Sequence, residues 1–171
     1  MDGVRLGLSD HEEELYPEIR RWLINYLEEK YGKDKWTVLV SEDSHKHFIE
    51  DALKRMGINR GLFTRLKIKV DIVASLKRGN REELVLMEVK VPTTTLKDLG
   101  QLWGYTQLIN PLESFLISPN GTGTLDELYH VMDKDDLFAY GAKGERRMIV
   151  GRWDSVRKTI DESTIIPKGW F

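Results

Sequence analysis

The sequence contains no cysteine. Disulfides, thiolate zinc sites, iron–sulfur clusters and thiol nucleophiles are excluded at once. Long apolar runs are missing too, since none approaches the roughly 18 residues of a transmembrane helix. The N-terminus, Met1-Asp2-Gly3-Val4-Arg5, lacks the basic-then-apolar order of a secretory signal. A cytoplasmic protein with no membrane partner is expected. Neither sign of charge is in excess: 26 Lys and Arg against 28 Asp and Glu leave a net charge of −2. That balance excludes a uniformly basic nucleic-acid coat. What remains is a chain of 171 residues, 40% hydrophobic and 32% charged. Such a composition is globular, and the length suits one domain, 1–171, with a sizeable core.

Hydrophobic periodicity supplies the elements. Leu15, Ile19, Trp22, Leu23, Tyr26 and Leu27 recur on one helical face. Ser9 or Asp10 can cap this helix, Pro17 predicts a kink or restart, and Gly32 suits its C-terminal end. Residues 36–40 read as a short strand. Residues 44–56 read as a helix stopped by Gly57. Leu66–Leu76 and Leu84–Val91 read as strands joined by a Gly79-Asn80 turn. Thr95–Asn110 reads as a helix with a capping-box start at Thr95 and Asp98 and a stop at Pro111. Residues 114–118 read as a strand. Thr124 with Glu127 opens a further helix to about Met132, and 137–153 resembles a hairpin around Gly141–Gly144. The sum is a mixed α/β (α+β) domain with a small central sheet.

The Gly79-Asn80 turn fixes a register with chemical consequences. It sets Ile72 opposite Met87, Ala74 opposite Val85 and Val70 opposite Val89, an apolar face. On the reverse face it sets Asp71 opposite Glu88 and Lys69 opposite Lys90. Like charges directly opposite one another destabilise a sheet. Two facing carboxylates make sense around a hard divalent cation, which takes oxygen ligands. The bland alternative is a solvated strand face with a slipped register. Downstream, Asp98, Gln101 and Tyr105 share a helix face, and Gly100 with Gly104 forms a stripe suited to close approach to the sheet. The only two glutamines, Gln101 and Gln107, both lie on this helix.

Val70-Asp71-Ile72, then Met87-Glu88-Val89-Lys90, then Gln101-Leu102-Trp103-Gly104-Tyr105, resembles the PD-(D/E)XK nuclease superfamily, in particular its RecB-like branch with a Gln-X-X-X-Tyr element. The resemblance covers about residues 11–118. It implies a restriction-endonuclease-like core, α-β-β-β-α-β, with a helical insertion at 44–56 and a C-terminal extension at 119–171. Val70 stands where the motif often has proline. The implied function is a metal-dependent nuclease, an endonuclease or exonuclease, that hydrolyses DNA phosphodiesters. Asp71 and Glu88, with the Val89 carbonyl, would hold one or two Mg²⁺ or Mn²⁺ ions. Lys90 would orient the attacking water or neutralise the phosphate. Gln101 and Tyr105 would position the metal shell or the scissile backbone. A first-helix residue often completes such sites; His11, Glu12, Glu14 and Glu18 compete, and Glu14 is favoured.

The implied partner is DNA, although the motif does not separate DNA from RNA. A homodimer would fit, because cutting both strands often uses two copies of one site. The alternative function is a catalytically inactive nucleic-acid-binding or scaffolding module on the same fold, which would have no physical need for facing carboxylates.

Charge is also unevenly spread. Residues 52–70 carry Lys54, Arg55, Arg60, Arg65, Lys67 and Lys69 with no acid, and Lys77, Arg78 and Arg81 follow at the hairpin tip. Arg60, Arg65, Lys67 and Lys69 are the candidates for phosphate contact, with Phe63 a candidate for base stacking. His45 and His47, with Asp43 nearby, are poorly spaced for one metal ion on a helix. Gly121-Thr122-Gly123 lacks the lysine of a phosphate loop and reads as a plain turn.

Overall fold

The computed structural model describes residues 8–41, 44–58 and 67–171, with the side chains of 8–11 and 44 outside that description. Its first element, α1 (Leu8–Tyr31), buries Ile19, Leu23 and Leu27 completely. Burying such a side chain contributes about 1.5–3 kcal/mol. The helix runs unbroken through Pro17, and Ser9 and Asp10 lie inside its first turn rather than ahead of it. The expected restart at Pro17 is therefore absent. Proline removes one helical hydrogen bond, but Tyr16 before it and Ile19, Leu23 and Leu27 after it pack into the same core. That shared burial holds both halves in one helix. Gly32 opens a short 3₁₀ turn instead of taking the left-handed cap, which falls at Lys35 with φ 61°.

The chain continues as β1 (Thr37–Val40), α2 (Ile49–Arg55), β2 (Ile72–Arg78), β3 (Arg81–Val89), α3 (Leu96–Ile109), β4 (Glu113–Ser118), α4 (Thr124–His130), β5 (Ala139–Tyr140), β6 (Arg146–Asp154) and β7 (Thr159–Ile166). The seven strands form one sheet in the order β1-β2-β3-β4-β6-β5, with β7 also paired to β6. β3–β4 and β4–β6 are parallel, and the other pairs are antiparallel. The fold is mixed α/β in three layers. α1 covers one face of the sheet with Ile72, Ala74, Val85, Met87, Phe115 and Ile117 beneath it. α2, α3 and α4 cover the other, over Val73, Leu84, Leu86 and Leu116. Among the described residues, no helix is long and apolar enough to cross a membrane.

The β2–β3 hairpin has the register read from its turn: Ile72 pairs with Met87, Val73 with Leu86 and Ala74 with Val85. Gly79 supplies the left-handed φ, 59°, that the tight turn requires. The strand limits differ from expectation. β2 begins only at Ile72 and reaches Arg78, and β3 begins at Arg81. Because the ladder stops short of residue 71, Val70 leaves the α1 face and packs with Val73 and Leu86 on the opposite side. The 44–56 helix is also divided, into a 3₁₀ turn at Ser44–Lys46 and α2.

Residues 119–171 extend the sheet itself. β6 lies parallel beside β4, pairing Phe115 with Ile149 and Leu116 with Val150, and β7 folds back antiparallel on β6. Gly151 marks an irregularity in the β6–β7 register. A Cβ there would come within 2.8 Å of Ile160 Cγ2, so glycine is required by close approach. α4 is capped by Gly123 rather than by the Thr124 hydroxyl, and it ends at His130.

Candidate active site

The end of the hairpin ladder creates the site. With β2 beginning only at Ile72, the Val89 N–H has no partner on the β2 side. It donates instead to Asp71 Oδ2 at 2.8 Å. Tyr16 of α1 donates its hydroxyl to Asp71 Oδ1 at 2.9 Å. Both oxygens of this carboxylate are thus oriented by donors. Tyr16 is almost fully buried, and its pKa is pushed up by burial and by the Asp71 charge. It remains a hydrogen-bond donor.

Glu88 is the more unusual group, a carboxyl only 2% exposed. Alternation along β3 directs it to the same side as Leu84 and Leu86, towards the α2–α3 layer. Burial raises its pKa well above the usual carboxylate value, the Asp71 charge raises it further, and Lys90 opposes both. Lys90 Nζ lies 3.3 Å from Glu88 Oε2. Glu88 Oε1 is buried with no hydrogen-bond partner among the described residues. Such an oxygen carries an uncompensated desolvation cost. Burial also works against the charge on Lys90. The carboxylates of Glu88, Asp71 and Glu12 outweigh that effect, so its pKa is raised and it stays an ammonium.

Among the first-helix candidates, Glu12 stands nearest electrically. Its Oε1 accepts the Val91 N–H at 3.4 Å. Burial raises its pKa, Lys90 lowers it, and Asp71 raises it again. Glu14 is exposed on α1. Glu18 accepts the Trp153 indole N–H at 2.7 Å, a structural role. The side chain of His11 lies outside the described residues. Among the described residues, no group of three or more His, Asp or Glu side chains gathers as a metal cage.

α3 brings the remaining pair. Its start is the expected capping box: the Thr95 N–H donates to Asp98 Oδ2 at 2.9 Å, and the Asp98 N–H donates to Thr95 Oγ1 at 3.3 Å. Asp98 is thereby used as a cap. Gln101 Nε2 donates to the Tyr105 hydroxyl at 3.0 Å. The Tyr105 pKa is raised mainly by burial, lowered by Gln101, and raised by the Glu88 charge, which places this ring within the field of the carboxylates. Gly100 and Gly104 do not approach the sheet. A Cβ at either would meet nothing within 4 Å. The loop after Lys90 is buttressed by the Gly121–Gly123 turn: Thr94 N–H donates to the Gly121 carbonyl at 3.2 Å, and Thr94 Oγ1 to the Thr122 carbonyl at 3.0 Å.

The basic stretch divides. Arg60, Arg65 and Phe63 lie outside the described residues, as does Asp43. Lys67 and Lys69 are exposed, with Lys69 Nζ 5.4 Å from the Phe48 ring centre. Lys54 pairs with Glu50 at 2.9 Å, and Arg55 bonds His47 at 2.9 Å. Lys77 contacts Glu82 at 3.8 Å, and Arg78 lies 4.8 Å from the Trp36 ring centre. The hairpin-tip cations sit at the opposite end of β2 from Asp71, about 20 Å away at roughly 3.3 Å per residue. They do not line the carboxylate site.

Tyr16 is the contributor that the linear motifs did not single out, and Glu12, one of the competing first-helix residues, stands nearer than the favoured Glu14. Tyr16 lies three residues before Ile19 and seven before Leu23, on the buried stripe of α1. A buried tyrosine hydroxyl needs a partner, and this is the signal that points to it. No known protein family matches this chain, and no curated protein matches it.

Proposed function

We propose that this chain is a cytoplasmic metal-dependent nuclease of the PD-(D/E)XK superfamily, hydrolysing DNA phosphodiester bonds. The observation that carries the reading is Glu88: a buried carboxyl with one oxygen unpartnered, beside Asp71 and within reach of Lys90. An apolar packing site has no use for that group, whereas a hard cation does. Mg²⁺ and Mn²⁺ keep several waters and take one or two carboxylates plus substrate oxygens, so a two-carboxylate site without a full protein cage suits them. The order α1, β1, β2, β3, α3, β4, with α2 inserted, supports the same family core.

Asp71 and Glu88, with the Val89 carbonyl, would hold the ion. Bound there, it supplies a water of lowered pKa and charge stabilisation at the phosphate. The chain's own groups do the rest. Tyr16 and the Val89 N–H orient Asp71. Lys90, held charged by its carboxylate neighbours, neutralises charge that builds on the phosphate oxygens. The Gln101–Tyr105 pair positions the scissile backbone on the α3 side. The water oxygen bonds to phosphorus in line as the bond to the leaving oxygen breaks.

The test is cleavage of labelled linear, circular, single-stranded and branched DNA with Mg²⁺ or Mn²⁺. Asp71→Ala and Lys90→Ala should each lower the rate by at least about 100-fold, with circular dichroism unchanged. Full activity in either variant would sink the mechanism. Salt-sensitive DNA binding with no cleavage by the wild-type protein would favour a non-catalytic module instead.

A further inference from the structure

The chain that leads into Asp71 carries cations at a regular interval. Along residues 67–71 burial alternates: Lys67 and Lys69 are exposed, Ile68 and Val70 are buried, and Asp71 is half-buried. Ile68 and Val70 pack with Ile49, Ala52 and Leu53 in the layer of α2. Lys67, Lys69 and Asp71 therefore turn away from that layer, with the period of an extended chain. Two residues of such a chain span about 6.6 Å. Lys69 starts one such step from Asp71, and Lys67 starts two. Successive phosphates of an extended single strand repeat at much the same interval.

Phe48 stands beside this row. The Ile49 N–H donates to the Ile68 carbonyl at 2.8 Å, which fixes the start of α2 against the segment. The Phe48 ring is 36% exposed, and Lys69 Nζ lies 5.4 Å from its centre. No other ring packs on Phe48 among the described residues. Of its neighbours, His45 rests on the Tyr16 ring, 4.6 Å between centres, and His47 bonds Arg55. Neither Lys67 nor Lys69 pairs with an acid among the described residues. A cation over an exposed ring is a weak contact beside a charge-assisted bond to phosphate, so Lys69 can serve both. Residues 45–58 and 67–70 hold five Lys and Arg against Glu50 and Asp51, and Glu50 is bound to Lys54 at 2.9 Å. Positive charge is therefore in excess along the row.

Cations in a row beside an exposed aromatic ring suit a single strand: the ammonium groups take successive phosphates, and the ring takes a base face. A duplex hides its base faces in the stack and offers Phe48 nothing. We propose that Lys67, Lys69 and Phe48 bind an unpaired DNA segment flanking the scissile bond. Lys69 takes the phosphate next to the one at Asp71, Lys67 takes the phosphate beyond it, and a base of the segment lies on Phe48. The inference rests on the nuclease reading, because Asp71 is its link to the cleaved phosphate. It makes the substrate class a DNA that is single-stranded on one side of the cut.

The experiment is fluorescence anisotropy of the full chain, with Ca²⁺ replacing Mg²⁺, over a range of salt. The probes are a labelled single strand, a blunt duplex and an abasic strand of the same length. Wild-type protein should bind the single strand more tightly than the duplex. Phe48→Leu keeps an apolar side chain and removes the ring. It should weaken binding of the single strand about tenfold and leave the abasic strand unchanged. Lys67→Ala and Lys69→Ala should each lower the slope of log affinity against log salt by about 0.7 on both strands, whereas Lys143→Ala in the β5–β6 loop should alter neither quantity. The lysine variants remove exposed side chains and keep the test open should Phe48→Leu fail to fold. With Mg²⁺, a duplex bearing a single-stranded arm should be cut faster than a blunt duplex, and Phe48→Leu should remove that preference. A duplex bound as tightly as the single strand overturns the strand site. So does an equal loss on the abasic strand in Phe48→Leu, or a wild-type salt slope in both lysine variants. If the protein nonetheless cuts DNA and binds Mn²⁺, the strand site alone has failed. If it neither cuts DNA nor binds Mn²⁺, the nuclease reading has failed and this proposal with it.

Discussion

Asp71 is held by two donors from different elements, and one of them is removable without disturbing packing. Tyr16→Phe deletes only the hydroxyl and leaves the ring against His45. Outer-shell partners of this kind are worth about 10–100-fold in metal affinity, so the variant should bind Mn²⁺ that much more weakly while melting normally. Unchanged Mn²⁺ affinity in calorimetry would remove Tyr16 from the site. Glu88 gives a prediction of opposite sign, on stability. Its folded pKa is raised above the ordinary 4.5, so in that window the folded state binds more protons than the unfolded state. Stability of the metal-free protein therefore falls as pH climbs from about 4.5 through the raised value. Glu88→Gln removes the titration and should stabilise the metal-free protein at neutral pH by about 1–3 kcal/mol, the scale of an uncompensated buried polar group. Loss of one carboxylate neighbour by Lys90 offsets part of that gain. Melting curves in EDTA from pH 4.5 to 8 read the difference, and a gap that does not widen with pH contradicts it. Lys90 has the same sign in a different window: its raised pKa contributes stability that is kept at neutral pH and lost only on passing to alkaline pH.

At the level of elements, α3 carries two glycines that its packing does not need. Neither Gly100 nor Gly104 would bring a Cβ against another atom. Alanine costs about 0.5–1 kcal/mol less than glycine in a helix interior, so Gly100→Ala and Gly104→Ala should each raise stability by that amount in denaturant titration. A loss of stability would mean that the backbone there meets a neighbour. These glycines also show where sequence reasoning runs out. Their spacing suggests a close-packed stripe, but spacing alone does not say which face of a helix meets the sheet. The hairpin is different. Its turn and its apolar alternation both specify register, because a one-residue slip would expose every buried side chain. Asp71, Glu88 and Lys90 were legible for the same reason. Asp71 nevertheless lies outside the ladder, and the pair with Glu88 forms through side chains. Tyr16 reaches Asp71 across 55 positions, a separation that no local pattern encodes. The α3 cap was legible because both of its partners lie within three residues.

Over the whole molecule, the sheet joins what the sequence separates into a core and an extension. β4 lies between β3 and β6, so its hydrogen-bonding edge is covered only by residues beyond 145. The same C-terminal part contributes Ile149, Trp153, Ile160 and Ile165 to the layer under α1. It gives Leu125, Phe138, Met148, Val150 and Ile166 to the layer under α3. Trp153 also donates to Glu18 of α1, tying the two ends of the chain across the core. A chain ending at Ser118 would bare the β4 edge and the apolar faces of Phe115, Leu116 and Ile117 at once. Exposed apolar edges of that kind pair with other chains. The truncated chain is expected to give no cooperative thermal transition and to associate, as read by circular dichroism and sedimentation. A single substitution tests the same dependence without truncation. Gly151→Val would drive a side chain into Ile160 at a point where the β6–β7 register already shifts. Overpacking of that order costs about 1–3 kcal/mol, and unfolding should remain a single transition because β6 belongs to the central sheet. If the truncated chain instead folds cooperatively, or if Gly151→Val melts β7 while the rest of the sheet survives, residues 119–171 are separable from the part of the fold before them and the carboxylate site owes them nothing.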